Sequence, residues 1–167
     1  DKIYQRRDKV KVVLIAGPSS SGKTTFANRL CVQLRVLGII PHAISLDNYF
    51  INREDVPLDE FGNKDFEDIN TLDLKLFNEH ITKMIDGQTV EMPYYNFVTG
   101  KREYNGNFVT LEKGGIFVIE GIHGLNDLLT ASIAAENKFK IFISAMTQLN
   151  IDDHNRISTS DSRLIRR

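Results

Sequence analysis

One cysteine, no tryptophan, four prolines and no long apolar run set the first limits on this chain of 167 residues. A lone Cys31 excludes an intramolecular disulfide framework and a four-cysteine zinc site. It suits a reducing compartment, and a cytoplasmic location is expected. No apolar stretch approaches the roughly 18 residues of a membrane-crossing helix. The charged opening, Asp1 to Asp8, lacks the apolar centre of a signal peptide. An excess of charge of one sign is missing too: 21 Lys and Arg face 22 Asp and Glu, a net charge of −1. Neither nucleic acid nor a membrane surface is therefore expected as a partner. A chain of this length buries about 70% of the surface it exposes when unfolded, enough for a core without staples. One domain over residues 1–167 is expected, with residues 1–10 as a lead-in. The missing initiator Met and the basic end at Arg166-Arg167 lead us to expect a piece of a longer protein.

What is present is an alternation of apolar strands and amphipathic helices. Val12-Val13-Leu14-Ile15-Ala16 reads as a strand buried on both faces. Thr24 to Leu37 reads as a helix with apolar Ala27, Leu30, Cys31, Leu34 and Leu37 at three- and four-residue spacing, stopped by Gly38. Ile39 to Leu46 is a second strand. Residues 51–70 are polar and read as a long loop, which in a small domain is usually functional or disordered. Leu72 to Asp86 is an amphipathic helix. Val90 to Tyr95 is a short strand, and residues 99–106 read as a turn or hairpin. Ile116 to Ile119 and Ile141 to Ile143 are further apolar strands, with a weakly patterned helix over Leu128 to Asn137 between them. The expected class is α/β, with a mostly parallel sheet and helices on both sides.

The chemistry is concentrated after the first strand. Gly17-Pro18-Ser19-Ser20-Ser21-Gly22-Lys23-Thr24 fits G-x-x-x-x-G-K-[ST] at every defined position, between a strand and a helix. Glycines let such a loop curl so that successive N–H groups point at phosphate oxygens, and the helix N-terminus adds its dipole. In this role Lys23 bridges the β- and γ-phosphates and Thr24 ligates Mg²⁺. Gly17, Ser19, Ser20, Ser21, Gly22, Lys23, Thr24 and Thr25 are the expected nucleotide-binding residues. Asp47 and Glu120 follow the second and third apolar strands, where open α/β sheets bind ligands. An acid there either holds Mg²⁺, accepts a proton from an attacking hydroxyl, or merely caps a turn. Tyr49, Tyr95 and Phe97 either stack on a ligand or fill the core. Asp152-Asp153-His154 reads as a solvated loop, since three adjacent residues rarely converge on one ion.

In this order the motifs resemble the uridine kinase and phosphoribulokinase family of P-loop kinases, and within it bacterial uridine kinase-like proteins. The likeness runs from about Val10 to the last residue: the phosphate loop, Ser45-Leu46-Asp47-Asn48-Tyr49-Phe50, Phe66-Glu67, Pro93 to Phe97, Val118 to Gly121, and Asp161 to Arg167. The resemblance implies a P-loop NTPase-like three-layer domain with ATP and Mg²⁺ as cofactors. It makes Asp47 the base for a nucleoside 5′-hydroxyl and Glu120 the acid at the Mg²⁺ strand end, with Thr24 and Asp47 also at the metal. Phe66 and Glu67 hold the ribose, and Tyr49, Tyr95, Phe97 and Arg102 join them at the acceptor. Arg163, Arg166 and Arg167 begin an arginine-bearing lid over residues 160–167 that is incomplete at the C-terminus. Gly100 stands where uridine and cytidine kinases carry a base-reading histidine, so weak discrimination between bases is expected.

The implied activity is ATP-dependent phosphoryl transfer to the 5′-hydroxyl of a uridine- or cytidine-like nucleoside. The alternatives are a kinase for another sugar or small alcohol, and a nucleotide-binding regulatory module in a larger protein. The expected partner is a small-molecule acceptor; an additional domain in the same chain and self-association are both compatible with the reading.

Overall fold

A computed structural model describes residues 2–58, 60–144, 152, 158, 160, 161 and 164. Among the described residues the elements are α1 (Lys2–Gln5), β1 (Val12–Ala16), α2 (Lys23–Val36), β2 (Ile40–Ser45), α3 (Leu74–Ile85), β3 (Val90–Asn96), β4 (Lys101–Val109), β5 (Gly115–Glu120) and β6 (Lys138–Phe142). β2, β5, β1 and β6 form one sheet in that order, and every pairing in it is parallel. β3 and β4 form a separate antiparallel hairpin.

The sheet separates two apolar clusters because strand side chains alternate between faces. Val12 and Leu14 of β1 and Phe117 and Ile119 of β5 join Phe77, Ile81 and Met84 of α3 on one face. Val13, Ile15, Ile116 and Val118 join Ala27, Cys31 and Leu34 of α2 on the other. The central strands β1 and β5 are buried at every position, as expected of parallel strands covered on both faces. The result is three layers, helix on sheet on helix. Cys31 is a buried core residue, and burial raises its thiol pKa.

Several expectations are corrected. Leu128 to Asn137 is not an α-helix but two 3-10 turns, Asp127–Thr130 and Ala135–Asn137. Asn126 caps the first by accepting from Leu128 N–H at 3.0 Å, and Lys138 Nζ donates to the Thr130 carbonyl at 2.6 Å. So short a segment gains more from these local bonds than from nucleating a helix. The turn or hairpin expected over residues 99–106 is a hairpin: the turn occupies residues 97–100, and pairing with β3 carries β4 through Gly106. Pro93 is tolerated in β3 at a register irregularity between Glu91 and Pro93, where a missing N–H costs little. The long loop of residues 51–70 holds the 3-10 turns Arg53–Asp55 and Ile69–Thr71, and Phe50 bridges to Leu72. The last apolar strand begins at Lys138 and alternates lysine with apolar residues, as suits an edge of the sheet.

Candidate active site

The phosphate loop connects the end of β1 to the start of α2. Its backbone takes left-handed values at Ser20 (φ 58°) and Gly22 (φ 92°). A serine in that region stores about 1–3 kcal/mol, a cost that persists where surrounding structure over-determines the loop. Ser20, Gly22, Lys23, Thr24 and Thr25 line a small cavity of about 210 Å³ at the helix N-terminus. Gly17 leaves no room for a side chain, since a Cβ there would run into the Ile143 carbonyl. Lys23 Nζ donates to the Pro18 carbonyl at 3.1 Å, so the lysine lies across its own loop. The Ser21 hydroxyl is buried and, among the described residues, has no hydrogen-bond partner.

β5 delivers Glu120 beside this loop. Its Oε1 accepts a hydrogen bond from the Thr24 hydroxyl at 3.1 Å. Burial raises the pKa of Glu120; the Thr24 bond opposes this, Asp47 adds to it, and Lys23 and a bond from Ser45 oppose it further. Asp47 lies in the 3-10 turn Leu46–Tyr49 that follows β2. Burial raises its pKa as well, opposed by the Lys23 charge. Lys23, Thr24, Asp47 and Glu120, which are distant in sequence, thus act on one another at the carboxyl ends of adjacent strands. Two carboxylates and a hydroxyl form a hard oxygen donor set that suits Mg²⁺. Among the described residues no group of three or more His, Cys, Asp or Glu side chains is placed to hold a metal by itself. Water and nucleotide oxygens would complete the coordination, as Mg²⁺ usually requires.

A second cavity, of about 500 Å³, lies beyond the Asp47 turn. Phe50, Phe66, Tyr95 and Phe97 form its aromatic wall, with Ile51, Val56, Thr71 and Arg53 completing the lining. Tyr95 meets Phe50 and Phe97 edge-on, at ring-centre distances of 5.5 and 5.1 Å. Asn48, the neighbour of Asp47, accepts from Tyr95 N–H at 3.3 Å and so ties the cavity wall to the Asp47 turn.

Of the expected acceptor residues, Phe66, Tyr95 and Phe97 line this cavity. Tyr49 does not: it is wholly buried, packs edge-on against Phe77 and shares a 3.3 Å hydrogen bond with His80 Nδ1. The next residue, Phe50, takes the place in the wall. Arg102 pairs with Asp73 at 3.0 Å and is not in the lining. Glu67 is exposed, also outside the lining, and its N–H bonds to Asp65 Oδ1 at 2.8 Å. Arg163, Arg166 and Arg167 lie outside the described residues, as do Asp153 and His154. Arg53 was missed by sequence reasoning. It sits in a run of charged residues, Arg53-Glu54-Asp55, that carries no motif.

The comparisons with known proteins follow the same lines. A uridine kinase of Halobacterium salinarum is 29% identical over 147 residues, covering 85% of this chain and 63% of that protein. A uridine kinase of Vibrio vulnificus is 26% identical over 160 residues, covering 89% of this chain and 72% of that protein. The chain therefore spans less than two thirds of the Halobacterium protein's length. Among solved structures, one described as a possible uridine kinase from Bacillus stearothermophilus superposes with a TM-score of 0.63 at 22% identity, covering 85% of this chain and 81% of that one. That likeness concerns the fold. The model of the Phosphoribulokinase / Uridine kinase family matches residues 12–158. With the phosphate loop, both strand-end acids and nearly the whole sheet inside that match, the chain belongs to the Phosphoribulokinase / Uridine kinase family.

Proposed function

We propose that the chain is an ATP-dependent small-molecule kinase that transfers a phosphoryl group to the primary hydroxyl of a nucleoside, in the cytoplasm. One observation carries this reading. The cluster of Lys23, Thr24, Asp47 and Glu120 continues, through the Asp47–Phe50 turn, into an aromatic-walled cavity of about 500 Å³. A phosphate grip and a ring-sized cavity sharing one turn are what a nucleotide donor and a cyclic acceptor need. Family membership and the uridine kinases among the relatives support the same reading.

In the mechanism, loop N–H groups and Lys23 hold the donor phosphates. Lys23 leaves the Pro18 carbonyl to do so. Thr24, Asp47 and Glu120 would hold Mg²⁺, which when bound neutralises phosphate charge. Asp47 orients the acceptor hydroxyl and takes up its proton at a carboxylate oxygen. Its raised pKa makes it a better proton acceptor than an exposed aspartate. Aromatic rings around Tyr95 fix the acceptor and exclude water. Positioning and electrostatics supply most of the acceleration in phosphoryl transfer. Arg163, Arg166 and Arg167 are proposed to add positive charge over the transferring group.

The test is acceptor-dependent ADP release over a panel of ribonucleosides and sugars, with the phosphorylated product identified by phosphorus NMR. Formation of a nucleoside 5′-monophosphate is expected. Phosphate on a sugar or small alcohol alone would move the acceptor class. ATP binding with no acceptor-dependent ADP release would favour a nucleotide-sensing module.

A further inference from the structure

We propose that Arg53 is the specificity-determining residue of the aromatic cavity and reads a carbonyl oxygen on the edge of a flat ring. This rests on the reading that the cavity takes the acceptor. Among the described residues Arg53 is the one charged side chain in the lining. Its backbone N–H donates to the Gly100 carbonyl at 2.8 Å, and its Nη2 donates to the Phe97 carbonyl at 2.8 Å. Asn52 adds a third tie between this segment and the hairpin by accepting from Arg102 N–H at 3.1 Å. The guanidinium is thus held against the hairpin turn.

A guanidinium offers five N–H donors and no acceptor. Among the described residues the Phe97 carbonyl is its one hydrogen-bond partner. Donors remain for a ligand, and only an oxygen or nitrogen lone pair can use them. The surrounding walls are aromatic and aliphatic, with Thr71 as the other polar member. A carboxylate or phosphate would need more than one cation in such walls. A neutral ring stacked on aromatics, presenting one carbonyl to Arg53, needs only what is there.

Gly100 is the other half of the arrangement. Its φ of +70° is a left-handed value that disfavours any side chain. A Cβ there would also lie 2.9 Å from Arg53 Cβ and 3.0 Å from Arg53 Nε. The glycine leaves the room that the arginine stem fills. The space beside Gly100, the position where uridine and cytidine kinases carry a histidine, is therefore taken by the Arg53 stem. The weak base discrimination expected from Gly100 alone gives way to discrimination by an arginine.

The experiment measures ring binding calorimetrically on the full chain, with Mg²⁺ and a non-hydrolysable ATP analogue present. Two ligand pairs are used: uridine against 2-pyrimidinone riboside, and inosine against purine riboside. Each pair differs by one ring carbonyl and its neighbouring N–H. A site built around a hydrogen bond rejects a ligand lacking the partner atom. In the wild type, the carbonyl member of at least one pair is expected to bind tenfold or more tighter. Arg53→Ala is expected to bring that ratio within twofold, and Arg53→Lys to retain part of it. Gly100→Ala, which displaces the arginine, is expected to act like Arg53→Ala. Thermal unfolding checks that each variant is folded. Equal weakening of both members by Arg53→Ala, with the ratio intact, would overturn the proposal and leave Arg53 a structural tie. Wild-type binding of both members without discrimination would overturn it as well. Failure of the wild type to bind any of the four rings would overturn both this proposal and the acceptor reading, and so is distinct from the other two results.

Discussion

Lys23 is held by its own loop through a single bond to the Pro18 carbonyl. It contributes little to the core, so Lys23→Ala is expected to leave the fold intact and weaken ATP binding, measured by calorimetry. Unchanged affinity would remove the lysine from the phosphate grip. Asp47 carries two opposing expectations. Asp47→Asn keeps the shape but removes the proposed proton acceptor, and turnover is expected to fall by about 10²–10⁴. Burial also sets its folded-state pKa above that of the unfolded chain. The native state then holds the proton more readily than the unfolded one. The stability it contributes is full while the group is protonated and is lost as pH rises through the folded pKa. Asp47→Asn is therefore expected to raise the melting temperature of the ligand-free protein at neutral pH while lowering turnover. A melting temperature that falls in the variant would mean that attraction to Lys23 outweighs burial.

At the scale of elements, α3 and the hairpin share the apolar cluster of Phe77, Ile81, Met84, Val90 and Met92, and one side chain adds a polar tie. Asp73 Oδ1 caps the helix by accepting from Leu76 N–H at 2.9 Å, while Oδ2 pairs with Arg102 of β4 at 3.0 Å. An N-cap is worth about 1 kcal/mol, and a partly exposed ion pair about 0.2–1 kcal/mol. Asp73→Ala is expected to cost roughly 1–2 kcal/mol in denaturant unfolding. Asp73→Asn keeps the cap and is expected to lose only the smaller part. Equal losses in the two would place the energy in the ion pair. Arg102 matched an acceptor residue by its place in the chain, yet it spends its guanidinium on this helix start. Strand register sets Arg102 opposite Tyr95, a residue of the cavity wall, and so on the same side of the hairpin; its side chain nevertheless pairs with Asp73 at the start of α3.

For the molecule as a whole, the proposed nucleotide site of phosphate loop and strand-end acids is assembled in the native state alone. Ligand binding then adds stability by mass action, about 2.7 kcal/mol at a hundredfold excess over Kd. For a domain of this size each kcal/mol moves the melting temperature by roughly 2–4 °C. ATP with Mg²⁺ is expected to raise the midpoint by about 5–10 °C. Chelation of Mg²⁺ should shrink the shift, and Lys23→Ala should remove most of it. A shift that survives in Lys23→Ala would locate nucleotide binding elsewhere.

How much of this was legible along the chain follows from the range of the forces involved. The phosphate loop, the buried strands around Leu14 and Val118, and the helix around Cys31 depend on local spacing and continuous apolar runs, and they appear as read. Asp47 and Glu120 could be placed because position at a strand end is itself a sequence feature in a parallel sheet. The choice between Tyr49 and Phe50 could not, because a 3-10 turn decides which ring enters the core and which faces the cavity. Nor could Arg53, whose meaning comes from Gly100, 47 positions away, and from the hairpin that brings the two together. The candidate phosphate loop is legible along the chain because its parts are neighbours. The wall of the aromatic cavity is not, because packing and backbone hydrogen bonds between distant segments select which side chains meet there.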